Sequence, residues 1–221
     1  MLVAVVPAYN EAKNIGSVVR DLFGQVDKVI VVDDGSWDQT AARAREAGAT
    51  VLRHCLNRGQ GAALETGHEL ARRWRADWVV DFDADGQFQA TDIPGAWKKI
   101  KETGTNLLLG SRFLGANTNL PWKKRYLLLP LARWFHHLFL GLSLTDAHNG
   151  FRLYTAAALE KIRITQDRMA HASEIPAQAR HYNLEICEYP VTVKYQEYGQ
   201  GLKGAGEILK DIFFDLFVSK K

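Results

Sequence analysis

Trp78-Val79-Val80-Asp81-Phe82-Asp83-Ala84-Asp85-Gly86-Gln87 decides how the rest of the chain is read. A short apolar run, Trp78–Phe82, stops at two carboxylates and a glycine turn. A run of this length without polar alternation reads as a strand buried on both faces. The pattern repeats on either side of it. Leu2–Val6, Lys28–Val32, Thr50–Arg53 and Asn106–Leu109 are further strands. Between them lie segments with helical character: Glu11–Phe23, with Ile15, Val18, Val19 and Leu22 on one face, then Gln39–Ala47, Gly61–Trp74 and Ile93–Glu102. Alternating buried strands and amphipathic helices imply an α/β fold with a mostly parallel sheet flanked by helices. Ligands in such sheets bind beyond the carboxyl ends of the strands. The polar clusters Pro7–Glu11, Asp33–Ser36, Asp83–Gln87 and Ser111-Arg112 all fall there, so they are expected around one pocket.

The 221 residues fit one domain of ordinary globular composition, 47% hydrophobic and 24% charged. Lys and Arg number 28 against 25 Asp and Glu, a formal net charge of +3. That is too little positive charge for a dedicated nucleic-acid binder. Cys55 and Cys187 have no disulfide or zinc spacing and are expected to be buried thiols in a reducing cytoplasm. Leu2–Pro7 reads as a buried strand and not as a signal peptide. No stretch reaches the ~18 apolar residues needed to cross a bilayer.

The second half is less regular. Pro121–Leu142 reads as a basic-aromatic helix, Phe151–Tyr154 as a strand followed by an Ala-rich helix, and His171–Tyr182 as a helix. Leu184–Tyr189 and Val191–Tyr195 read as strands, Tyr198–Gly206 as a flexible loop and Ile208–Val218 as an amphipathic helix. From Pro121 to Phe139, Lys123, Lys124, Arg125 and Arg133 stand among Trp, Tyr and Leu without a single acid, the composition of an interfacial helix.

Two carboxylates at i and i+2 in a strand-end turn, Asp83 and Asp85, can point at one hard cation. Mg²⁺ or Mn²⁺ is the expected cofactor, since these ions take oxygen ligands and bridge substrate phosphates. Asp33 or Asp34 is expected to accept hydrogen bonds from a nucleotide's ribose or base, while Ser36 or Asp38 caps the next helix. No GxGxxG follows the first strand and no GxxxxGK[ST] occurs, which sets aside a nicotinamide dehydrogenase and a P-loop NTPase.

Val5-Val6-Pro7-Ala8-Tyr9-Asn10-Glu11, Val32-Asp33-Asp34-Gly35-Ser36, Asp83-Ala84-Asp85-Gly86-Gln87 and Gly110-Ser111-Arg112, in this order, resemble glycosyltransferase family 2. Asp146-Ala147-His148-Asn149-Gly150-Phe151-Arg152-Leu153-Tyr154 extends the likeness to the dolichyl- or polyprenyl-phosphate sugar synthase branch. The resemblance implies a GT-A, Rossmann-like fold with amphipathic interfacial helices in the C-terminal half. Residues 1–115 would form the nucleotide-sugar-binding half of a single domain and 116–221 the acceptor- and membrane-facing half.

By resemblance, Pro7, Tyr9 and Glu11 hold the nucleoside with Asp33 and Asp34. Asp83 and Asp85 hold the metal on the diphosphate with Gln87 close by, and Arg112 faces donor or acceptor phosphate. Two positions depart from the pattern. Gln60 stands where the family often has Lys. Tyr195-Gln196-Glu197-Tyr198 lacks the Arg that usually follows the last strand, a charge that Lys203 is expected to supply.

The activity implied is an inverting transfer of a sugar from a nucleotide-sugar, with UDP-sugar favoured, to a membrane lipid phosphate such as polyprenyl phosphate. The enzyme would sit peripherally on the cytoplasmic face of the cell membrane, with a small separate membrane protein as a further partner. A lipid phosphate oxygen is already anionic, so that acceptor needs no strong base. The alternative acceptor, a hydroxyl of a lipid-linked glycan in cell-surface polysaccharide synthesis, needs one, and His171 and Glu174 are the candidates. A nucleotidyltransferase, which also joins such a sheet to acidic metal ligands, is the reading from another reaction class.

Overall fold

The computed structural model describes residues 1–114, 144–146 and 149–194. The basic-aromatic segment around Trp122–Phe139, the Tyr198–Gly206 loop, Lys203 and the last amphipathic stretch lie outside the described residues. The described chain runs β1 (Leu2–Ala8), α1 (Ile15–Phe23), β2 (Lys28–Asp33), α2 (Thr40–Glu46), β3 (Thr50–Arg53), α3 (Gln60–Arg73), β4 (Trp78–Asp81), α4 (Ile93–Thr103), β5 (Leu107–Ser111), β6 (Arg152–Thr155), α5 (Ala156–Lys161), α6 (His171–His181) and β7 (Ile186–Pro190). A single 3₁₀ turn, Ala90–Asp92, leads into α4.

The seven strands form one sheet in the order β3-β2-β1-β4-β6-β5-β7. β6 runs antiparallel to both neighbours, β4 and β5, and every other pair is parallel. The sheet is thus mostly parallel with one reversed strand. That reversal brings the entry to β6, with Gly150 and Arg152, to the edge where the parallel strands end.

Core packing follows the strand alternation. Leu2, Ala4 and Val6 of β1 meet Ile15, Val18, Val19 and Leu22 of α1, with Ile93, Ala96 and Ile100 of α4 in the same cluster. Val3 and Val5 face the other way, onto Ala63, Leu64 and Ala71 of α3, with Leu159 of α5 and Ile175 of α6.

Four local readings differ from the sequence pattern. β1 continues through Pro7 to Ala8. The Val5 carbonyl accepts from Phe82 N on the β4 side, and Pro7, two residues on, faces the same side beyond the end of β4. Its missing N–H therefore breaks no ladder bond. α1 begins at Ile15, and the N–H groups before it are tied to side chains that follow β2: Asn10 N to Ser36 Oγ, Glu11 N to Thr40 Oγ1 and Ala12 N to Asp38 Oδ2.

Residues 191–194 make no strand beyond one bridge, Phe88 to Val193. Thr192 N donates to Asp92 and Lys194 N to the Gln87 carbonyl, so the segment crosses toward the 87–92 loop. The thiols are not buried either: Cys55 is exposed in the turn after β3, and Cys187 is partly covered on the edge strand β7.

Gly67 sets the distance between α3 and β1. A Cβ there would lie 2.3 Å from Val5 Cγ1. Gly67→Ala should cost about 1–3 kcal/mol by overpacking, lowering the melting temperature by roughly 2–10 °C. Thermal melting checks this, and an unchanged midpoint would mean that α3 is free to move outward.

Candidate active site

The distinctive side chains stand at the carboxyl ends of β1, β2, β4 and β5. Tyr9, beyond β1, is 45% exposed and open to a ligand, while Pro7 is buried in the strand. Glu11 accepts from Asn14 Nδ2 at 2.9 Å.

At the end of β2, Asp33 and Asp34 are both buried. Asp33 accepts from Ser36 N at 3.1 Å and lies 3.0 Å from Arg53 Nε. Asp34 takes the backbone N–H of Arg58 at 2.9 Å on one oxygen and that of Gly59 at 2.7 Å on the other, with His54 Nδ1 at 2.7 Å. It thereby braces the turn that starts α3. Gly59 in that turn has φ +104 and presses on the Asp167 carbonyl, a place only glycine fills without strain. The N-cap of α2 is Gln39, without a side-chain cap; Asp38 just before it accepts from Thr40 N at 2.9 Å, while Ser36 Oγ serves Asn10 N instead.

The centre is the end of β4. Asp81 is buried and accepts from His68 Nε2 at 2.6 Å and from Tyr154 OH at 2.8 Å. Asp83 accepts from Gln60 Nε2 at 2.9 Å on Oδ1. Its carboxylate lies against the backbone of Gly150, where a Cβ would come within 2.2 Å of Oδ2. Asp85 Oδ1 accepts from Gln87 N at 2.9 Å, which makes Gln87 a backbone partner of the second carboxylate.

Burial, then the charge of Asp85, push the Asp83 carboxyl up to about 6, against the pull of Arg152 and Gln60. Arg152 is buried on β6 opposite Asp81, and its Nε and Nη1 have no hydrogen-bond partner among the described residues.

This set fits a divalent cation. Two carboxylates two residues apart repel each other without a counter-charge, and Mg²⁺ or Mn²⁺ bound by one or two carboxylates completes its shell from substrate phosphates and water. Among the described residues no group of three or more His, Cys, Asp or Glu could hold a metal, so within them Asp83 and Asp85 are the pair that would.

At the end of β5, Arg112 is engaged by Asp146. Nε donates to Oδ2 at 2.7 Å, Nη2 to Oδ1 at 2.8 Å, and the backbone N to Oδ2 at 3.1 Å. Glu188 of β7 fixes the neighbourhood by accepting from Thr145 N and Thr145 Oγ1, both at 2.7 Å. At the end of β5, Arg112 is therefore a guanidinium already oriented by a buried carboxylate.

The two candidate bases on α6 have other surroundings. Glu174 accepts from Thr165 N at 3.1 Å, Gln166 N at 3.0 Å, Gln178 Nε2 at 3.1 Å and the Thr165 hydroxyl. Its oxygens thus hold the loop before α6. His171 is buried, and its Nδ1 lies 2.6 Å from the Arg168 carbonyl, which makes Nδ1 the protonated nitrogen. Burial, then Arg152, push the ring down to about 4, so it is a weak base.

Sequence reasoning assigns no role to Gln60, Gly150, Arg152, Asp146 or the Asp81–His68–Tyr154 group. The signal for Arg152 and Tyr154 is their place in the 146–154 motif. Nothing local marks His68 as a partner of Asp81.

Comparison with known proteins accords with this geometry. The family model for glycosyl transferase family 2 matches residues 3–163. The UDP-N-acetylglucosamine–dolichyl-phosphate N-acetylglucosaminyltransferase of Methanococcus voltae is 30% identical over 242 residues, spanning 100% of this chain and 96% of that protein. The polyprenol monophosphomannose synthase of Mycolicibacterium smegmatis is 29% identical over 223 residues, spanning 95% of this chain and 83% of that one. A crystal structure of Mycobacterium tuberculosis glucosyl-3-phosphoglycerate synthase, in complex with Mn²⁺, uridine-diphosphate and glucosyl-3-phosphoglycerate, shares the fold. It has a TM-score of 0.70 at 20% identity, covering 98% of this chain and 78% of that one.

His171 and Asp83 should act oppositely on acid stability. Between pH 6.5 and about 4 the unfolded chain binds a proton that His171 in the fold refuses, so stability falls on acidification. Between pH 6 and 3.8 the folded Asp83 binds a proton before the unfolded carboxyl does, so stability rises on acidification. Thermal melting from pH 7 to 4 should therefore show a flatter acid loss in His171→Gln. In Asp83→Asn it should show a higher midpoint at pH 7 and a steeper acid loss.

Proposed function

The chain belongs to glycosyltransferase family 2, and from that premise we propose that it moves a sugar from a nucleoside-diphosphate sugar, a UDP-sugar in preference, to the phosphate of a polyprenyl lipid. The observation that carries this reading is the end of β4, where the half-buried Asp83 and Asp85 stand two residues apart and Asp83 lies against Gly150. The relatives whose names carry dolichyl-phosphate and polyprenol monophosphomannose support the acceptor. The structural neighbour with bound Mn²⁺ and uridine-diphosphate supports the donor and the metal.

Asp83 and Asp85 would hold Mg²⁺ or Mn²⁺, which supplies charge neutralisation to the departing diphosphate. Asp33, together with Pro7, Tyr9 and Glu11, lines the nucleoside side, and Asp34 keeps the 58–59 turn in place. Arg112, oriented by Asp146, presents its guanidinium to phosphate charge. The acceptor phosphate oxygen attacks the anomeric carbon as the carbon–oxygen bond to the diphosphate breaks, with inversion, and the nucleoside diphosphate leaves. No proton has to be removed from the acceptor. That agrees with Glu174 being committed to its loop and His171 being a weak base, whereas a hydroxyl acceptor would require one of them.

Residues 1–115 serve as the donor half in this reading and 116–221 as the acceptor- and membrane-facing half. Lys203 would add acceptor charge, and the basic-aromatic segment would seat the enzyme on the cytoplasmic face of the membrane, with a small membrane protein as a further partner. No helix among the described residues is long and apolar enough to cross a membrane.

The test offers a panel of UDP- and GDP-sugars with Mn²⁺ to the purified chain, with undecaprenyl phosphate, a lipid-linked glycan or no acceptor. Nucleoside diphosphate release and labelled lipid are both followed. Labelled lipid should form with undecaprenyl phosphate, and Asp85→Ala or excess EDTA should abolish it. Product from the glycan alone would replace the acceptor, and pyrophosphate release would replace the reaction class.

A further inference from the structure

Gln60 is the first residue of α3, and its amide nitrogen is a direct side-chain donor to Asp83, at 2.9 Å on Oδ1. Three features fix where that amide sits. The preceding turn is held by Asp34, whose two oxygens take Arg58 N and Gly59 N. Ala62 N, in the first turn of α3, donates to the Asp167 carbonyl at 3.1 Å. Gly59 and Gly61 lie so close to the backbone of residues 166–168 that a Cβ on either would collide, at 2.5 Å and 1.9 Å. The start of α3 is thus clamped from both sides, and the Gln60 side chain is delivered to one place.

Asp83 is also packed against Gly150, which lies close enough to the carboxylate that a Cβ there would come 2.2 Å from Oδ2. Gln60 therefore holds Oδ1 through a neutral donor, and the hydrogen bond falls on that oxygen and not on Oδ2. A neutral amide orients a carboxylate without cancelling its charge. An ammonium at the same place would orient it too, but would repel a second cation brought to the same oxygens. From this arrangement we infer that Gln60 is a positioning residue for the divalent-cation site, presenting Asp83 with its full charge and so setting how tightly the free enzyme binds metal before any nucleotide arrives. The inference rests on the reading that Asp83 and Asp85 hold the metal.

The experiment measures Mn²⁺ binding to the whole chain without nucleotide, from the electron paramagnetic resonance signal of the free ion, in wild type, Q60M, Q60K and D85N. Q60M keeps the length and removes the donor. Q60K keeps a donor and adds charge. Wild type should bind most tightly, Q60M about threefold more weakly and Q60K about tenfold or more. Metal-free melting midpoints of the Gln60 variants should stay close to wild type, which separates metal positioning from folding.

Equal affinity in wild type and Q60K, or Q60M binding as well as wild type, would overturn the role of Gln60 while leaving the metal site intact. If wild type binds no better than D85N, the metal reading itself falls and this inference falls with it.

Discussion

Asp81, Asp83 and Asp85 stand on alternate residues at the end of β4, in the middle of the sheet. Burying even one carboxylate is costly unless donors or cations offset it. The surrounding structure supplies those offsets one by one. His68 from α3 and Tyr154 from β6 satisfy Asp81. Gln60, at the other end of α3, satisfies one oxygen of Asp83, and the turn's own Gln87 N–H serves Asp85. Arg152, buried on β6, supplies positive charge that counters the upward push on Asp83. The antiparallel placement of β6 follows the same need. Only a strand entering from the carboxyl edge brings Gly150, Arg152 and Tyr154 past β4 in this order, with Arg152 in register with Asp81.

Much of this was legible in the sequence because it is local. Apolar runs ending in Asp33-Asp34 and Asp83-Ala84-Asp85 give both the strands and the edge where the polar clusters gather. The reversal of β6 was not legible, since Phe151–Tyr154 has the same apolar character whichever way it runs. Its direction is fixed by partners far away in the chain. Tyr154 donates to Asp81 across 73 residues, and in the ladder Leu107 pairs with Tyr154 and Leu109 with Arg152. No local pattern encodes such contacts. The α1 boundary was hidden for a related reason: the N–H groups of residues 10–12 are bound by side chains of Ser36, Asp38 and Thr40, contacts that helical spacing does not encode.

The site was legible to a similar depth. Residue type and strand-end position mark Asp83 and Asp85, but they cannot tell a carboxylate that faces a ligand from one that ties down a loop. Asp34 and Glu174 belong to the second kind: each gathers backbone N–H groups from a neighbouring turn, at 58–59 and 165–166 respectively. Arg112 also gains a meaning from its partner. An isolated arginine at a strand end would sample many rotamers, whereas one held by two oxygens of a buried Asp146 loses that freedom before any substrate arrives.

The two braces meet at the start of α3. Asp34 holds the turn from the β2 side, and the loop before α6, held by Glu174, covers it from the other, with the Asp167 carbonyl on Ala62 N. Between them Gln60 reaches the β4 carboxylate. Two acids read from sequence as ligand or base thus contribute at one remove, by fixing the turn whose side chain touches Asp83. A fold that places paired carboxylates at the end of a rigid strand has to hold the facing helix start equally still, because a carboxylate fixed on one side only is free to rotate. The glycines at 59 and 61 are what allow the covering loop to come close enough to do this.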